Sequence, residues 1–139
     1  MSPLAAAVGV YGGENPGEDN MPAQQEPTMD LYYGYDSGES GWENQIDSNF
    51  VKIGSLMQIS VIDRNLTAPP GSPANGDCYI PATASTGAWV GHDGEIAMYR
   101  SSLTAWEFYT PKVGWLAYIQ DEEVLSAYKV AGWSAGIAI

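Results

Sequence analysis

Few side chains of this sequence could carry catalytic or metal chemistry. The one histidine, His92, lies in a Gly-His-Asp-Gly segment, and the one cysteine, Cys78, lies in an apolar run. A zinc site draws on several His and Cys ligands, so these two residues predict no metal site. A single cysteine also cannot form a disulfide within the chain. We expect Cys78 to be a buried, unreactive thiol, His92 to be a solvent-exposed turn residue, and the protein to need no cofactor.

Carboxylate pairs are the remaining route to catalysis, because a glycoside hydrolase needs only two such groups. The densest acidic cluster is Asp121-Glu122-Glu123, and Asp93 and Glu95 lie near a second turn. Adjacent acids between two strands are typical of a solvated turn, and the scattered glycines lack the phosphate-binding pattern that ends in Lys. The sequence therefore predicts a protein that is not an enzyme, with an acid-pair hydrolase as a third alternative.

The charge distribution excludes further classes of function. The formal net charge is −12, the first fifty residues hold nine acidic side chains and no Lys or Arg, and the five basic residues begin at Lys52. A phosphate backbone requires a basic face, so we expect no nucleic-acid binding. No run of about 18 apolar residues is present, so we expect no membrane insertion. The first residues lack a basic segment, so we expect neither a signal peptide nor a transit peptide.

Residues 1–30 form a segment of their own, rich in Gly, Pro, Glu, Gln and Asn. Its apolar residues follow no sustained period, so it cannot form a core alone. Two interpretations stay open: a disordered tail, or an extended acidic N-terminal arm that becomes ordered against a partner. The second accounts for four apolar residues that a tail does not need and that would serve as anchors: Leu4, Val8, Val10 and Tyr11.

Residues 31–58 are predicted as a linker followed by one amphipathic helix over 40–58. Ser40 is the expected N-cap, and Glu43 completes a capping box. Five apolar residues then recur at helical spacing: Trp42, Ile46, Phe50, Ile53 and Met57. The last four form a heptad seam about two turns long, which is short for a coiled coil. Either the seam Ile46, Phe50, Ile53 and Met57 is an oligomer interface, or the helix packs on its own sheet.

Residues 59–139 are predicted as a β-rich domain. Short apolar segments alternate with turn signals, of which Asn75-Gly76 and Asp93-Gly94 are the strongest. We expect a mainly β fold, a small antiparallel body that is sandwich- or barrel-like with short hairpins, preceded by the helix and the arm. The expected strands lie near 59–63, 77–80, 95–100, 105–110, 115–120, 124–130 and 135–139.

Two of the expected strands are apolar on both faces. Residues 115–119 contain no charged position, and residues 105–109 contain only Glu107. A small sheet with one solvated face should alternate apolar and polar residues. Either a second layer or another subunit should therefore cover these strands. We expect Trp89, Trp106 and Trp115 mostly to fill the core.

Several stretches carry a specific resemblance to a known family. They are LMQISV (56–61), APPGSPANGD (68–77), TGAWVGHDGEIAMY (86–99) and WEFYTPKVGWLAYIQDEE (106–123), followed by Tyr128 and Gly132-Trp133. In these residues the chain resembles a family of phage and prophage virion proteins of unknown function that is also found in gene-transfer-agent-like particles. Members commonly carry this domain in fibre, spike or tail-associated proteins. The resemblance implies a virion structural role and supplies no catalytic residue.

Residues and resemblance together predict a non-enzymatic bacteriophage virion protein, assembled in the host cytoplasm: a short fibre or spike, or a decorating subunit. The arm would attach it to other virion proteins of the capsid or tail, and the seam predicts a homo-oligomer, most readily a trimer. Recognition usually resides in loops on a rigid scaffold. The candidate contacts with host-surface polysaccharide are therefore the turn residues His92, Asp93, Glu122 and Glu123, with Tyr or Trp beside them. A free-standing carbohydrate-binding module is the alternative.

Overall fold

The computed structural model describes residues 24–38 and 40–139. The chain divides into two compact units, of which the first ends at Leu56 and the second comprises Met57–Ile139. The residues predicted to anchor the arm, Leu4, Val8, Val10 and Tyr11, lie outside the described residues. Their role stays a prediction.

The first unit contains a small hairpin. Strand β1 (Gln24–Gln25) pairs antiparallel with β2 (Tyr32–Tyr33). The turn between them is organised by Glu26, whose carboxylate accepts hydrogen bonds from three backbone N–H groups of the turn. Hydrogen bonding, with the largest contribution from Thr28, lowers the pKa of the Glu26 carboxyl from 4.5 to about 2. The ionised carboxylate therefore stabilises this turn.

One helix follows, α1 (Trp42–Leu56), which is two residues shorter at each end than predicted. Ser40 was the predicted N-cap, but the residue immediately before the helix is Gly41, with φ +81°, so this prediction is wrong by one position. Glu43 lies in the first turn, where a negative charge interacts favourably with the helix dipole.

Polar side chains attach the helix to the hairpin. The Asn49 amide bonds both backbone groups of Tyr32: its Oδ1 accepts from the N–H at 2.8 Å, and its Nδ2 donates to the carbonyl at 2.7 Å. Lys52 donates from Nζ to the carbonyl of Asp30 at 3.2 Å. Within the first unit, the helix is therefore oriented by hydrogen bonds from its polar side.

The second unit is built from short strands. They are β3 (Ile59–Val61), β4 (Cys78–Tyr79), β5 (Ile96–Arg100), β6 (Ala105–Tyr109), β7 (Leu116–Ile119), β8 (Val124–Lys129), β9 (Gly132–Trp133) and β10 (Ile137–Ala138). Each predicted strand is present, and β9 lies outside the predicted strand ranges. The predicted fold class is confirmed: in the part of the chain that the structure describes, the fold is mainly β with antiparallel sheets and one helix.

Two sheets organise these strands. The larger has the order β10-β8-β7-β3, with β9 also paired to β8, and the smaller has the order β4-β5-β6. Strands β3 and β7 pair in parallel, with Ile59 opposite Ala117, whereas the other strand pairs are antiparallel. The body was predicted to be sandwich- or barrel-like. Over residues 24–38 and 40–139 no barrel closes, and the sheets are open.

The core follows the alternation of side chains along the strands. In β3, Ile59 and Val61 are buried and Ser60 between them is exposed, as period-two geometry requires. An aromatic cluster fills the space beside the smaller sheet. Trp89 is fully buried there, and its ring centroid lies 5.5 Å from that of Tyr79 and 5.2 Å from that of Trp106. Trp89 is thus a core residue as predicted, whereas Trp106 and Trp115 are only partly buried.

None of the described residues belongs to a helix with the length and hydropathy that crossing a bilayer would require.

Candidate functional site

The turn predicted to expose His92 is held against the protein. The imidazole stacks on the Phe108 ring with a centroid distance of 3.5 Å and an interplanar angle of 6°. Its Nδ1 lies 2.6 Å from Oε2 of Glu95, and the other oxygen of Glu95 accepts a bond from the Thr110 hydroxyl at 2.7 Å. His92 is accordingly half-buried, and its ring stabilises the position of Phe108.

The neighbouring Asp93 carboxylate is used by the loop that precedes it. It accepts hydrogen bonds from the backbone N–H groups of Ala84 at 2.8 Å and Ser85 at 3.0 Å, and from the Ser85 hydroxyl. The Ser85 side chain is the main cause of the lowered pKa of the Asp93 carboxyl. Asp93 therefore fixes residues 84–93 in position, and its oxygens already have partners.

Glu122 lies in an ion pair that the sequence did not predict. Arg64 donates from Nε to Oε1 at 2.7 Å and from Nη2 to Oε2, and it also donates to the carbonyls of Ser134 at 2.7 Å and Ala135 at 2.8 Å. The Arg64 hydrogen bond is the main reason that the pKa of the Glu122 carboxyl is lowered. Glu122 thus joins the 120–123 turn to the end of β3 and the C-terminal segment.

Glu123 differs from its neighbour. Its side chain is exposed, and its backbone has φ +53°, the left-handed conformation of a tight turn. Of the four turn residues predicted to contact a ligand, His92, Asp93 and Glu122 each stabilise the local fold, and Glu123 faces solvent.

An open groove of about 390 Å³ lies on the second unit. We call it the aromatic groove. Among its lining residues, we refer to Tyr99, Trp106 and Phe108 as the floor and to Pro69, Pro70 and Pro73 as the proline wall. Ala88, Thr104 and Ala105 complete the rim. Apart from the phenol of Tyr99, the lining contains no ionisable side chain, which is unusual in a chain of net charge −12.

The floor of the aromatic groove is continuous with the core. Tyr99 and Trp106 are opposite each other on β5 and β6, and their rings meet at 61° with a centroid distance of 5.2 Å. Trp106 packs edge-on against the buried Trp89 at 78°. Phe108 also packs on this cluster and carries the stacked His92. The rings are therefore held in place before any ligand arrives.

The proline wall is tied to the loop that carries Ala88. The Thr86 N–H donates to the carbonyl of Thr67 at 2.7 Å. Gly87 has φ +61°, and a Cβ placed on it would meet Cδ of Pro69 at 3.4 Å. Close approach of these two loops fixes the distance between wall and rim. Nothing in the sequence around Pro69, Pro70 and Pro73 indicates a groove, so sequence reasoning missed this role.

The predicted oligomer seam is largely open to solvent. Phe50 on α1 is 68% exposed and Met57 after it is 75% exposed, and Ile46 and Ile53 are partly buried. Trp42, in line with them on the helix, is 43% exposed. We call Trp42, Ile46, Phe50 and Ile53 the helix stripe. The same helix buries Gln45, Ser55 and Leu56, so two polar side chains are buried while the large apolar Trp42 and Phe50 are exposed.

A second apolar surface lies on the larger sheet. Leu116 and Ala127 are opposite each other on β7 and β8, and Leu125 is opposite Ile137 on β10. These four residues, the outer sheet face, line a shallow groove of about 370 Å³. Leu116 is 54% exposed and Ile137 is 67% exposed. The expectation of strands apolar on both faces thus holds for β7, and among the described residues no second layer buries these two side chains.

Metal and thiol chemistry find little support in the part of the chain that is described. It contains no cluster of three or more His, Cys, Asp or Glu residues that could hold a metal ion. Cys78 is buried, and burial raises the pKa of its thiol to about 12. A protonated, buried thiol is a poor nucleophile.

Comparison with known proteins gives a family and no activity. A family model described as a protein of unknown function (DUF2793) matches residues 46–134, which is more than half of the chain, so the chain belongs to this family. The matched region includes most of α1, the whole aromatic groove and the outer sheet face except Ile137. No curated protein matches the chain.

Proposed function

We propose that this member of the DUF2793 family is a non-enzymatic structural subunit of a bacteriophage particle, a short fibre or spike or a decorating subunit. It assembles as a homo-oligomer, attaches to capsid or tail proteins through its N-terminal arm, and contacts host-surface glycans. The virion setting rests on the resemblance of residues 56–133 to phage proteins. The assembly rests on one observation, the exposure of the helix stripe.

The helix stripe argues for a partner because the helix is already oriented by its other side. Asn49 and Lys52 bond the hairpin, and Gln45 and Leu56 are buried. An α-helix turns by about 100° per residue, so the mean direction of these four side chains lies about 90° around the helix axis from that of the stripe. A helix that needed only its own unit would bury the apolar side. The exposed stripe therefore fits an interface with further copies of the chain.

A trimer is the proposed state. Ile46 and Ile53 provide β-branched residues at alternate seam positions, a composition compatible with an assembly of more than two helices. The outer sheet face offers additional apolar surface, since Leu116 and Ile137 are more than half exposed. Contiguous exposed apolar surface is typical of an interaction site.

The lowered pKa of the Glu122 carboxyl agrees with a non-enzymatic role. Glu122 belongs to the densest acidic cluster of the sequence, Asp121-Glu122-Glu123. A general acid of a glycosidase needs a raised pKa. Arg64 lowers the pKa of the Glu122 carboxyl instead, and four further protein contacts occupy the Arg64 guanidinium and its partner. This acid is therefore suited to holding the fold together.

Light scattering tests the assembly. We expect a mass of three times the 14.9 kDa protomer at micromolar concentration. Phe50→Asp should give monomers, because an unpaired charge buried in an apolar interface costs several kcal/mol. Ser48→Asp is the matched control, since it adds the same charge at an exposed helix position outside the stripe. A wild-type monomer, or equal effects of the two variants, would refute the proposed interface.

Particle incorporation tests the virion role and separates it from a free-standing carbohydrate-binding module. Replacing Leu4, Val8, Val10 and Tyr11 by Ser should prevent co-purification with particles and leave the oligomer intact. A protein that never co-purifies with particles in its wild-type form would instead favour the free-standing module.

A further inference from the structure

We infer that the aromatic groove binds an uncharged carbohydrate chain. This inference rests on the proposed contact with host-surface glycans, and it moves that contact from the acidic turn residues to Tyr99, Trp106, Phe108 and the proline wall. The groove lies beside the turn that carries Ser101-Ser102-Leu103, because Thr104 and Ala105 form part of its rim.

The chemistry of the lining matches a sugar ring. A pyranose has an apolar face of C–H groups that packs on aromatic and proline rings, by the same ring-face electrostatics that orient aromatic pairs. It also carries hydroxyl groups that donate and accept hydrogen bonds. The groove supplies rings from Tyr99, Trp106 and Phe108 and hydroxyl groups from Tyr99 and Thr104. An apolar concave surface with a few polar groups is the usual composition of a small-ligand site.

Charge decides which carbohydrate fits. The chain has a net charge of −12, and no Lys or Arg lines the groove. Two of its five basic residues are engaged elsewhere, Arg64 with Glu122 and Arg100 with Glu107 at 3.0 Å. Uronic, sialic or sulfated sugars would meet a repulsive field without a compensating cation. A neutral chain of hexose or N-acetylhexosamine units avoids that repulsion.

The site is rigid enough to bind without rearrangement. Trp106 is packed against the fully buried Trp89, and Phe108 lies under the His92 ring. The Thr86–Thr67 hydrogen bond holds the rim to the wall. Because these groups are fixed in advance, a ligand does not have to order them, which lowers the free energy cost of binding.

A proline-rich peptide is the rival occupant, since such peptides also bind aromatic grooves. In that mode the ligand contributes the prolines and the receptor contributes mainly aromatic rings. Here Pro69, Pro70 and Pro73 already stand on the receptor side. The arrangement therefore favours the sugar.

The test begins with the 139-residue chain on an array of oligosaccharides and one peptide. The array carries neutral hexose and N-acetylhexosamine oligosaccharides, uronic, sialylated and sulfated oligosaccharides, and a proline-rich decapeptide. We expect binding to a neutral oligosaccharide. Titration calorimetry with that oligosaccharide should show a loss of about tenfold or more in Ala88→Glu, because the added carboxylate occupies the rim and must lose hydration. Val90→Glu is the matched control, two positions away, exposed, and outside the groove lining.

Trp106→Phe provides a second readout. Binding next to an indole should shift the tryptophan emission of the wild type, and this shift should disappear in Trp106→Phe while near-ultraviolet circular dichroism shows that the fold persists. Binding confined to anionic glycans or to the peptide, no neutral binding at all, or equal affinities of Ala88→Glu and Val90→Glu would overturn the inference. Light scattering on the same samples separates the outcomes. A trimer that binds only anionic glycans refutes the groove inference alone, and a trimer that binds no glycan also refutes the proposed glycan contact but not the assembly. A glycan-binding monomer refutes the assembly alone.

Discussion

Arg64 holds the Glu122 carboxylate with two of its nitrogens, although the two residues are 58 positions apart in the chain. The same guanidinium bonds the carbonyls of Ser134 and Ala135. One side chain thus joins the segment after β3, the turn before β8 and the residues before β10. Removing the Arg64 side chain should therefore destabilise the larger sheet.

Arg64→Ala should lower the free energy of unfolding of the second unit by about 2 to 3 kcal/mol, because the Glu122 carboxylate loses its charged partner and the Ala135 carbonyl loses its donor. Urea denaturation followed by tryptophan fluorescence measures this. Arg100→Ala is the control: its single bond to Glu107 is more exposed, so we expect a loss below about 1 kcal/mol. If both variants lost the same free energy of unfolding, the hydrogen bonds from Arg64 to the Ser134 and Ala135 carbonyls would add nothing to stability.

Acid should destabilise the second unit through Glu122. Arg64 lowers the pKa of this carboxyl below its ordinary 4.5, so its ionised form stabilises the folded state. That contribution is complete above the unfolded pKa and is lost as the pH falls through the lower, folded pKa. Glu122→Gln should therefore reduce the dependence of stability on pH below 4.5. Glu123→Gln is the matched control, since it removes a carboxylate from the adjacent, exposed position, and it should change the acid profile less than Glu122→Gln.

Gly136→Ala should destabilise the pairing of β10 with β8. A Cβ at this position would lie 2.7 Å from Cγ2 of Val124, and the backbone has φ +91°. Gly114 has a similar φ of +98°, and a Cβ placed on it would meet nothing within 4 Å. Gly114→Ala therefore measures only the cost of the left-handed backbone conformation, about 1 to 2 kcal/mol. We expect Gly136→Ala to cost measurably more than Gly114→Ala in thermal unfolding. The same cost for both would mean that Val124 simply moves aside.

Cys78 should resist thiol reagents in the folded protein. Burial raises the pKa of its thiol to about 12, so almost no thiolate exists near neutral pH. A chromogenic disulfide reagent at pH 8 should react only after denaturant is added. Rapid reaction without denaturant would show that β4 opens easily.

The sequence predicted the parts of the fold that depend on neighbouring residues. Turn chemistry at Asn75-Gly76 and Asp93-Gly94 is local, and both glycines have positive φ, +88° and +76°. Helical spacing likewise placed α1 within two residues at each end. Trp89 was correctly assigned to the core because a small domain has few other large side chains to fill it.

Long-range relationships were not predictable in the same way. Nothing near Arg64 in the sequence indicates that its partner is Glu122, and nothing near Pro69 indicates that it approaches Gly87. His92 was predicted to be solvent-exposed because it lies in a turn, and the stack on Phe108 depends on how two distant segments meet. The aromatic groove is built from such contacts, so only its residue types were visible in advance.

The parallel pairing of β3 with β7 has a consequence for how the chain is made. Ile59 finds its partner Ala117 only after the whole smaller sheet has been synthesised between them. The hairpin of β5 and β6 can close as soon as its own residues leave the ribosome, whereas β3 must wait with an unpaired edge. Closing so long a loop is slow, and unpaired strands aggregate readily. The larger sheet should therefore complete last, and a released chain truncated before Leu116 should form the smaller sheet while β3 stays without its partner strand.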